Sequence, residues 1–291
     1  MVAVLKTAFV FLANVGSNPT PSARWKKRGL ADSPADFGHI MDNICFEIFE
    51  TLPRQGPGDE RSTKKAFQML AELLECPEIL DVGCGTGAQT LVLAELSSGN
   101  ITALDNHAPF IDILKRKARQ ARLEERIHCV VGDMAAMNFR AESYDVTWSE
   151  GAANIMGFAN ALKSWKVLLK PKGYLVVSEL VWFKRETLQA IKDYFAGAYP
   201  DMKYYEYIYP IVRSAGYEMI NYFPLPSKSW WTDYYAPMEK KLAEMRREYQ
   251  SNKDAQSIFG SFQLEIDMHR KYYEYYGYGF YIMRKMAKPE T

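Results

Sequence analysis

The chain is poor in the residues that build metal centres and disulfide frameworks. Its 291 residues hold four cysteines and four histidines. Cys45, Cys76, Cys84 and Cys129 form no C-x-x-C pair and no metal-ligand spacing, which argues against a zinc ribbon or a stapled secreted scaffold. A reduced, cytoplasmic setting is expected instead. His39, His107, His128 and His269 are scattered, so no metal site is expected. The apolar stretch from Val2 to Val15 is too short to span a bilayer, and most of the nearby charge follows it rather than precedes it as in a secretory signal. No membrane association is therefore expected. Excess charge is missing too: the net charge is +1, so nothing points to nucleic-acid binding by phosphate neutralisation. The basic cluster Lys115, Arg116, Lys117, Arg119, Arg122 and Arg126 reads as a solvated helix face. No internal repeat and no low-complexity segment occurs.

Hydrophobic residues make up 48% of the chain, enough for one large domain with an elaboration. Its most informative stretch is Ile79-Leu80-Asp81-Val82-Gly83-Cys84-Gly85-Thr86-Gly87, a short apolar strand running into a glycine turn, with a helical pattern from Ala88 to Leu96. Glycines allow close backbone approach to a ligand. The spacing is G-x-G-x-G, not the G-x-G-x-x-G of dinucleotide folds. An acid before the glycines suits a ligand with amino and sulfonium groups better than a pyrophosphate.

Four more strands follow. Ile101–Leu104 ends at Asp105, which lies 18 residues beyond Gly87, the separation of adjacent parallel strands. Asp105 can accept both ribose hydroxyls of a nucleoside or cap the next helix, with Asn106 beside it. Ile127–Val131 leads into Gly132-Asp133-Met134, Tyr144–Trp148 opens into Ser149-Glu150-Gly151-Ala152, and Tyr174–Glu179 follows the turn 169–173. Strands and helices alternate from about 66 to 200, the pattern of a parallel sheet covered on both faces. Ligands bind such sheets at the carboxyl ends of the strands, where Asp81, Asp105, Asp133, Glu150 and Glu179 all fall.

Residues 81–87 resemble the first motif of class I S-adenosylmethionine (SAM)-dependent methyltransferases. The resemblance implies an α/β fold: a Rossmann-like seven-stranded methyltransferase sheet with helices on both faces. It implies SAM as cofactor and S-adenosylhomocysteine as product. Asp81, Gly83, Gly85 and Gly87 would cradle the cofactor, Asp105 and Asn106 its ribose, and Asp133 and Met134 its adenine. Gln55-Gly56-Pro57-Gly58 resembles a loop that precedes the first motif in a subset acting on small molecules, where it would cover the methionine end; a simple turn and helix cap is the other reading. The three close cysteines of radical enzymes are absent, so the transfer should be polar. The Asn/Asp-Pro-Pro-aromatic tetrapeptide of enzymes that methylate base amines or protein glutamine is absent after the fourth strand, which favours a small-molecule acceptor.

Glu150 is the first candidate for a general base and Glu179 the second, either of which could instead orient cofactor or acceptor, or cap a helix. Residues 1–40 read as a poorly ordered extension and 41–291 as the methyltransferase domain, with Met41 a natural start. The segment 59–74 reads as a helix, 184–217 as helical, Tyr217–Leu225 as the sixth strand and Tyr278–Arg284 as the last. Residues 226–276, with helices near 237–250 and 254–275, read as a helical lid inserted before that last strand. Trp230, Trp231, Tyr234 and Tyr235 could wall the acceptor pocket or simply anchor two helices. Crowded tyrosines at 204, 205, 207 and 209 could serve a homodimer contact. Two other functions share the pattern: an aminopropyltransferase, opposed by Thr86 and the lack of an acid after Gly87, and a non-catalytic SAM-binding scaffold.

Overall fold

A computed structural model describes residues 43–287. The expected extension 1–40, with Met41, lies outside the described residues. A helix over residues 43–49 (α1) and the helix Glu60–Phe67 (α2) lead into the sheet. The strands are β1 (Glu78–Val82), β2 (Asn100–Asp105), β3 (Ile127–Val131), β4 (Tyr144–Glu150), β5 (Leu169–Trp182), β6 (Lys203–Tyr204), β7 (Tyr217–Pro224) and β8 (Tyr276–Lys285). Between them run α3 (Ala88–Leu96), α4 (Ala108–Gln120), α5 (Phe158–Lys166), α6 (Gln189–Ala198), α7 (Ile208–Ser214), α8 (Ala236–Glu248) and α9 (Lys253–Tyr272).

The sheet order is β3-β2-β1-β4-β5-β8-β7, and the two-residue β6 pairs with β5 outside that path. β8 is antiparallel to both neighbours, while β1 to β5 pair in parallel. The seven expected strands are all present, and β6 is an eighth. Chain order reverses between β1 and β4, so the crevice at their carboxyl ends is the switch point where ligands bind such sheets.

Alternation along the strands divides the core in two. Ile79, Ile101, Trp148 and Val176 face one side, where they pack with α1, α3, α4, α6, α8 and α9. Leu80, Leu104, Leu175 and Val177 face the other, against α5 and α7. Strands buried on both faces read as continuous apolar runs, which is why they were visible in the sequence.

Three boundaries differ from expectation. The helix after Asp59 stops at Phe67, because the N–H groups of Gln68 and Met69 turn back onto Lys64 and Ala66 and exposed Leu74 offers nothing to bury. The expected turn 169–173 is instead part of β5, absorbed by a register shift against β4 between Tyr144 and Val146. The stretch 184–217 is not continuously helical: Pro200 follows α6, then β6 pairs with the end of β5 before α7 begins.

The insertion between β7 and β8 is helical as expected, but its aromatics are core. Trp230, Tyr234 and Tyr235 are at most 4% exposed. Phe262 packs edge-on against Phe49, and the Tyr249 hydroxyl donates to Glu47, so α8 and α9 hold α1 in place. Among the described residues no helix is long and apolar enough to cross a membrane.

This core carries its own titratable groups. Burial pushes the Glu265 carboxyl up to about 7, against the donation from the Tyr235 hydroxyl at 3.0 Å. Burial holds His269 down to about 3; its ring stacks on Trp230 at 4.0 Å, and neither nitrogen has a partner among the described residues. The two act oppositely. Glu265 has a folded pKa above its ordinary 4.5, so its contribution is full below pH 4.5 and is lost as pH rises through 7. His269 has a depressed pKa, so its contribution is present above 6.5 and lost as pH falls. Glu265→Gln removes the first effect alone. From pH 4.5 to 7, thermal unfolding should show the variant gaining on the wild type by on the order of 3 kcal/mol; a pH-independent difference would mean that Glu265 is ionised throughout.

Candidate active site

The glycine turn sits at the carboxyl end of β1, at the switch point. Its backbone N–H groups are spent internally. Gly83 and Cys84 both donate to the Leu104 carbonyl, Gly87 donates to Cys84, Gly85 to Asp105 Oδ2 at 3.0 Å, and Thr86 to Gln55 Oε1 at 2.8 Å. The glycines therefore serve close packing. A Cβ on Gly83 would stand 2.5 Å from the Ala152 methyl, and one on Gly85 2.5 Å from Gln55 Oε1, both too near. Both positions also have positive φ, +72° and +54°. Gly87 caps the start of α3, off the cleft wall.

The turn forms one wall of a cleft of about 750 Å³, counting its open mouth. Of the expected cofactor residues, Gln55, Gly56, Gly83, Gly85, Asp105, Asn106, Asp133 and Met134 all line it. Asp105 lies at its base. Its Oδ1 accepts from the His107 N–H and its Oδ2 from that of Gly85, which fixes the carboxylate, while burial pushes its pKa up. Asp133 accepts from the Ala135 N–H and faces solvent.

Asp81 is different. It is fully buried beneath the turn and does not line the cleft. Its oxygens accept from Thr90 Oγ1 at 2.6 Å and Gln89 Nε2 at 3.2 Å, and burial pushes it up to about 7. Asp81 thereby ties β1 to the first turn of α3. Gln89, which it holds, does reach the cleft.

Glu150 lines the cleft, but as a closed ion pair. Arg54 Nη2 donates to its Oε2 at 2.6 Å, and Thr63 Oγ1 and Trp148 Nε1 donate to its Oε1 at 2.7 and 2.9 Å. Both side chains are under a tenth exposed. A carboxylate occupied by three donors is a poor general base, so the first base candidate is corrected to an anchor. What it anchors is the loop 54–58, which Gln55 joins to α1 through the Phe49 and Leu52 carbonyls and to the glycine turn through Thr86. The insertion meets the same loop by Arg54 N–H to the Asp233 carbonyl and Gly58 N–H to that of Ser229.

Trp230, Trp231 and Tyr234 do not line this cleft; helix burial took them. Glu179 is also elsewhere, because β5 runs on to Trp182 and the side chain points to the α5 side of the sheet with Val177 and Val181. Sequence reasoning missed Arg54, Thr63 and Gln89. Arg54 stands directly before the Gln-Gly-Pro-Gly loop, and that adjacency was the available signal.

Comparison with known proteins agrees with this geometry. Residues 79–173 match the family model described as a methyltransferase domain. The 24-methylenesterol C-methyltransferase 2 of Oryza sativa subsp. japonica is 26% identical over 64% of this chain and 55% of its own length. The demethylmenaquinone methyltransferase of Staphylococcus aureus (strain MRSA252) is 31% identical over 45% and 51%. The chain thus spans about half the length of these curated relatives. A SAM-dependent methyltransferase from Geobacter sulfurreducens, solved with S-adenosylhomocysteine, shares the fold with a TM-score of 0.73 at 18% identity, over 83% of this chain and 97% of that one. Residues 79–173 thus match a methyltransferase domain, on a fold shared with a SAM-dependent methyltransferase solved with S-adenosylhomocysteine.

The buried ion pair gives a direct test. Removing one partner of a buried pair leaves an uncompensated charge and costs about 3–5 kcal/mol. Arg54→Met and Glu150→Gln should each destabilise the fold, Arg54→Met by about that amount in urea titration. The double variant should lose less than the sum of the two; strict additivity would mean that the pair does not act as a unit.

Proposed function

We propose that the protein transfers the methyl group of SAM to a small-molecule nucleophile, and that it does so in the cytoplasm. The single observation that carries this is the convergence on one cleft of the glycine turn, the 54–58 loop, Asp105, and Asp133 with Met134. When bound, SAM supplies a methyl group already activated by its sulfonium centre. The chain has to hold that group, orient an acceptor and keep water away.

In this reading Asp105 accepts the ribose hydroxyls, for which its pinned and buried carboxylate is suited. Asp133 meets the adenine amine and Met134 packs on the ring. Gln89 and the Gln55–Pro57 segment bound the methionine end, and the Arg54–Glu150 pair holds that segment closed over it. Orientation of this kind can lower a barrier by about 7–11 kcal/mol, so no general base is required of Glu150. The helical insertion acts as a buttress behind the loop, a lid at one remove. The cytoplasmic location is supported by cysteine usage, four cysteines in 291 residues with no C-x-x-C spacing. Exposed Tyr205, Tyr207 and Tyr209 offer a surface for a homodimer.

Calorimetric titration with SAM and with S-adenosylhomocysteine tests the assignment. Wild type should bind both. Asp105→Ala should bind at least about tenfold more weakly, the worth of a hydrogen bond to a charged group. A folded wild type that binds neither would overturn the methyl-transfer reading.

A further inference from the structure

A second cavity, of about 610 Å³ counting its mouth, lies on the α5 side of the sheet. The segment after β4 contributes residues to the walls of both. Gly151, Ala152 and Ile155 line the cofactor cleft, and residues 157–160 line the second cavity. The Gly151 N–H donates to Ser178 Oγ at 2.8 Å, which ties that segment to β5 one residue before Glu179.

Glu179 lines this second cavity and is 2% exposed. Its Oε1 accepts from the Leu180 N–H at 2.9 Å, whereas Oε2 has no hydrogen-bond partner among the described residues. Burial is the larger influence on this carboxyl and favours its neutral form, while the Tyr199 hydroxyl, donating toward it, favours the charged one. Leaving Oε2 bare costs free energy, so a donor from a ligand has a ready place. Phe158 and Tyr199 give the cavity aromatic surface. Asp201 and Lys203, both exposed, also line it, and Glu179 is the ionisable group buried within.

We propose that this cavity holds the methyl acceptor and that the acceptor is a small amine, captured as its ammonium ion by Glu179. The inference rests on the methyl-transfer reading above. An ammonium supplies both the missing donor at Oε2 and the charge that makes a buried carboxylate tolerable, and aromatic faces favour the same cation. Proton balance is met within the site. The ammonium passes one N–H proton to the Glu179 carboxylate, nitrogen keeps the electron pair as the lone pair needed for attack, and Glu179 becomes a neutral carboxylic acid. Burial, which pushes Glu179 up to about 8, favours that neutral form. Neutral alcohols of the same shape would gain neither the charge nor the proton transfer.

The test uses the full chain loaded with S-adenosylhomocysteine, so that the first cleft is blocked. Benzylamine, phenethylamine and cyclohexylamine are titrated calorimetrically against benzyl alcohol, 2-phenylethanol and cyclohexanol. At least one amine should bind about tenfold or more tightly than its alcohol. Glu179→Gln should erase that preference while S-adenosylhomocysteine affinity stays within about twofold. Ala159→Leu, which fills the cavity from α5, should weaken the amine by a similar factor, and it decides the matter if Glu179→Gln does not fold. Amines binding no better than alcohols, or a preference that survives both variants, would overturn the proposal. If S-adenosylhomocysteine itself fails to bind, the methyl-transfer reading falls and the acceptor assignment with it. The same titrations on unloaded protein then report separately on the cavity: a preference lost in Glu179→Gln would support the ammonium site, and its absence would refute that too.

Discussion

The ion pair between Arg54 and Glu150 is the contact on which the cleft depends. It joins the loop after α1 to the end of β4 across 96 residues of sequence, with Thr63 and Trp148 completing the carboxylate's partners. Buried away from water, such a pair adds little net stability but penalises any arrangement that separates it. Here that penalty fixes position. With Arg54 held, Gln55 reaches the Thr86 N–H, and the turn and loop become two walls of one cleft.

Everything behind the loop serves the same placement. α1 is clamped by Phe49 on Phe262 and by Glu47 with Tyr249 and Lys241. His107, stacked on Phe46 and bonded to Glu50, ties α1 to the residues following Asp105. The Ser229 hydroxyl donates to Asp59, the N-cap of α2, next to the same loop. The insertion's aromatics Trp230, Trp231, Tyr234 and Tyr235 do not line the cleft, yet its backbone carbonyls at Ser229 and Asp233 hold the loop that does. Buried Glu265 and His269, the latter without a hydrogen-bond partner among the described residues, accompany the packing of two helices onto an aromatic core, and they make that region responsive to pH.

Carboxyl groups at one edge of the sheet have divided into different environments. Asp105 is pinned by two backbone N–H groups and faces the cleft; Asp81 is sealed beneath the turn; Glu150 is neutralised by Arg54. Glu179, one register step beyond Ser178 and on the opposite face of the sheet, lines the second cavity instead. Identical chemistry at neighbouring strand ends thus yields a cleft-lining group, a structural tie, an anchor and a buried group in a second cavity. What separates them is burial and the donors within reach.

Much of the fold was legible in the chain alone. Apolar runs such as Ile79-Leu80 and Tyr174–Val177 mark strands because a sheet covered on both faces favours apolar residues there, and G-x-G-x-G marks the turn because the backbone there passes within contact distance of Ala152 and Gln55. The cleft-lining residues 55, 56, 83, 85, 105, 106, 133 and 134 followed from strand ends and motif positions, which are local properties. Other features depended on contacts between distant segments. Sequence could place Glu150 and Glu179 at the ends of strands but not say which would meet Arg54, since side-chain facing depends on strand length and register, and β5 proved longer than its apolar run. Nor could it say whether Trp230 and Tyr234 would line a pocket or fill a core: an aromatic side chain suits either, and only the packing of α8 and α9 against α1 decided.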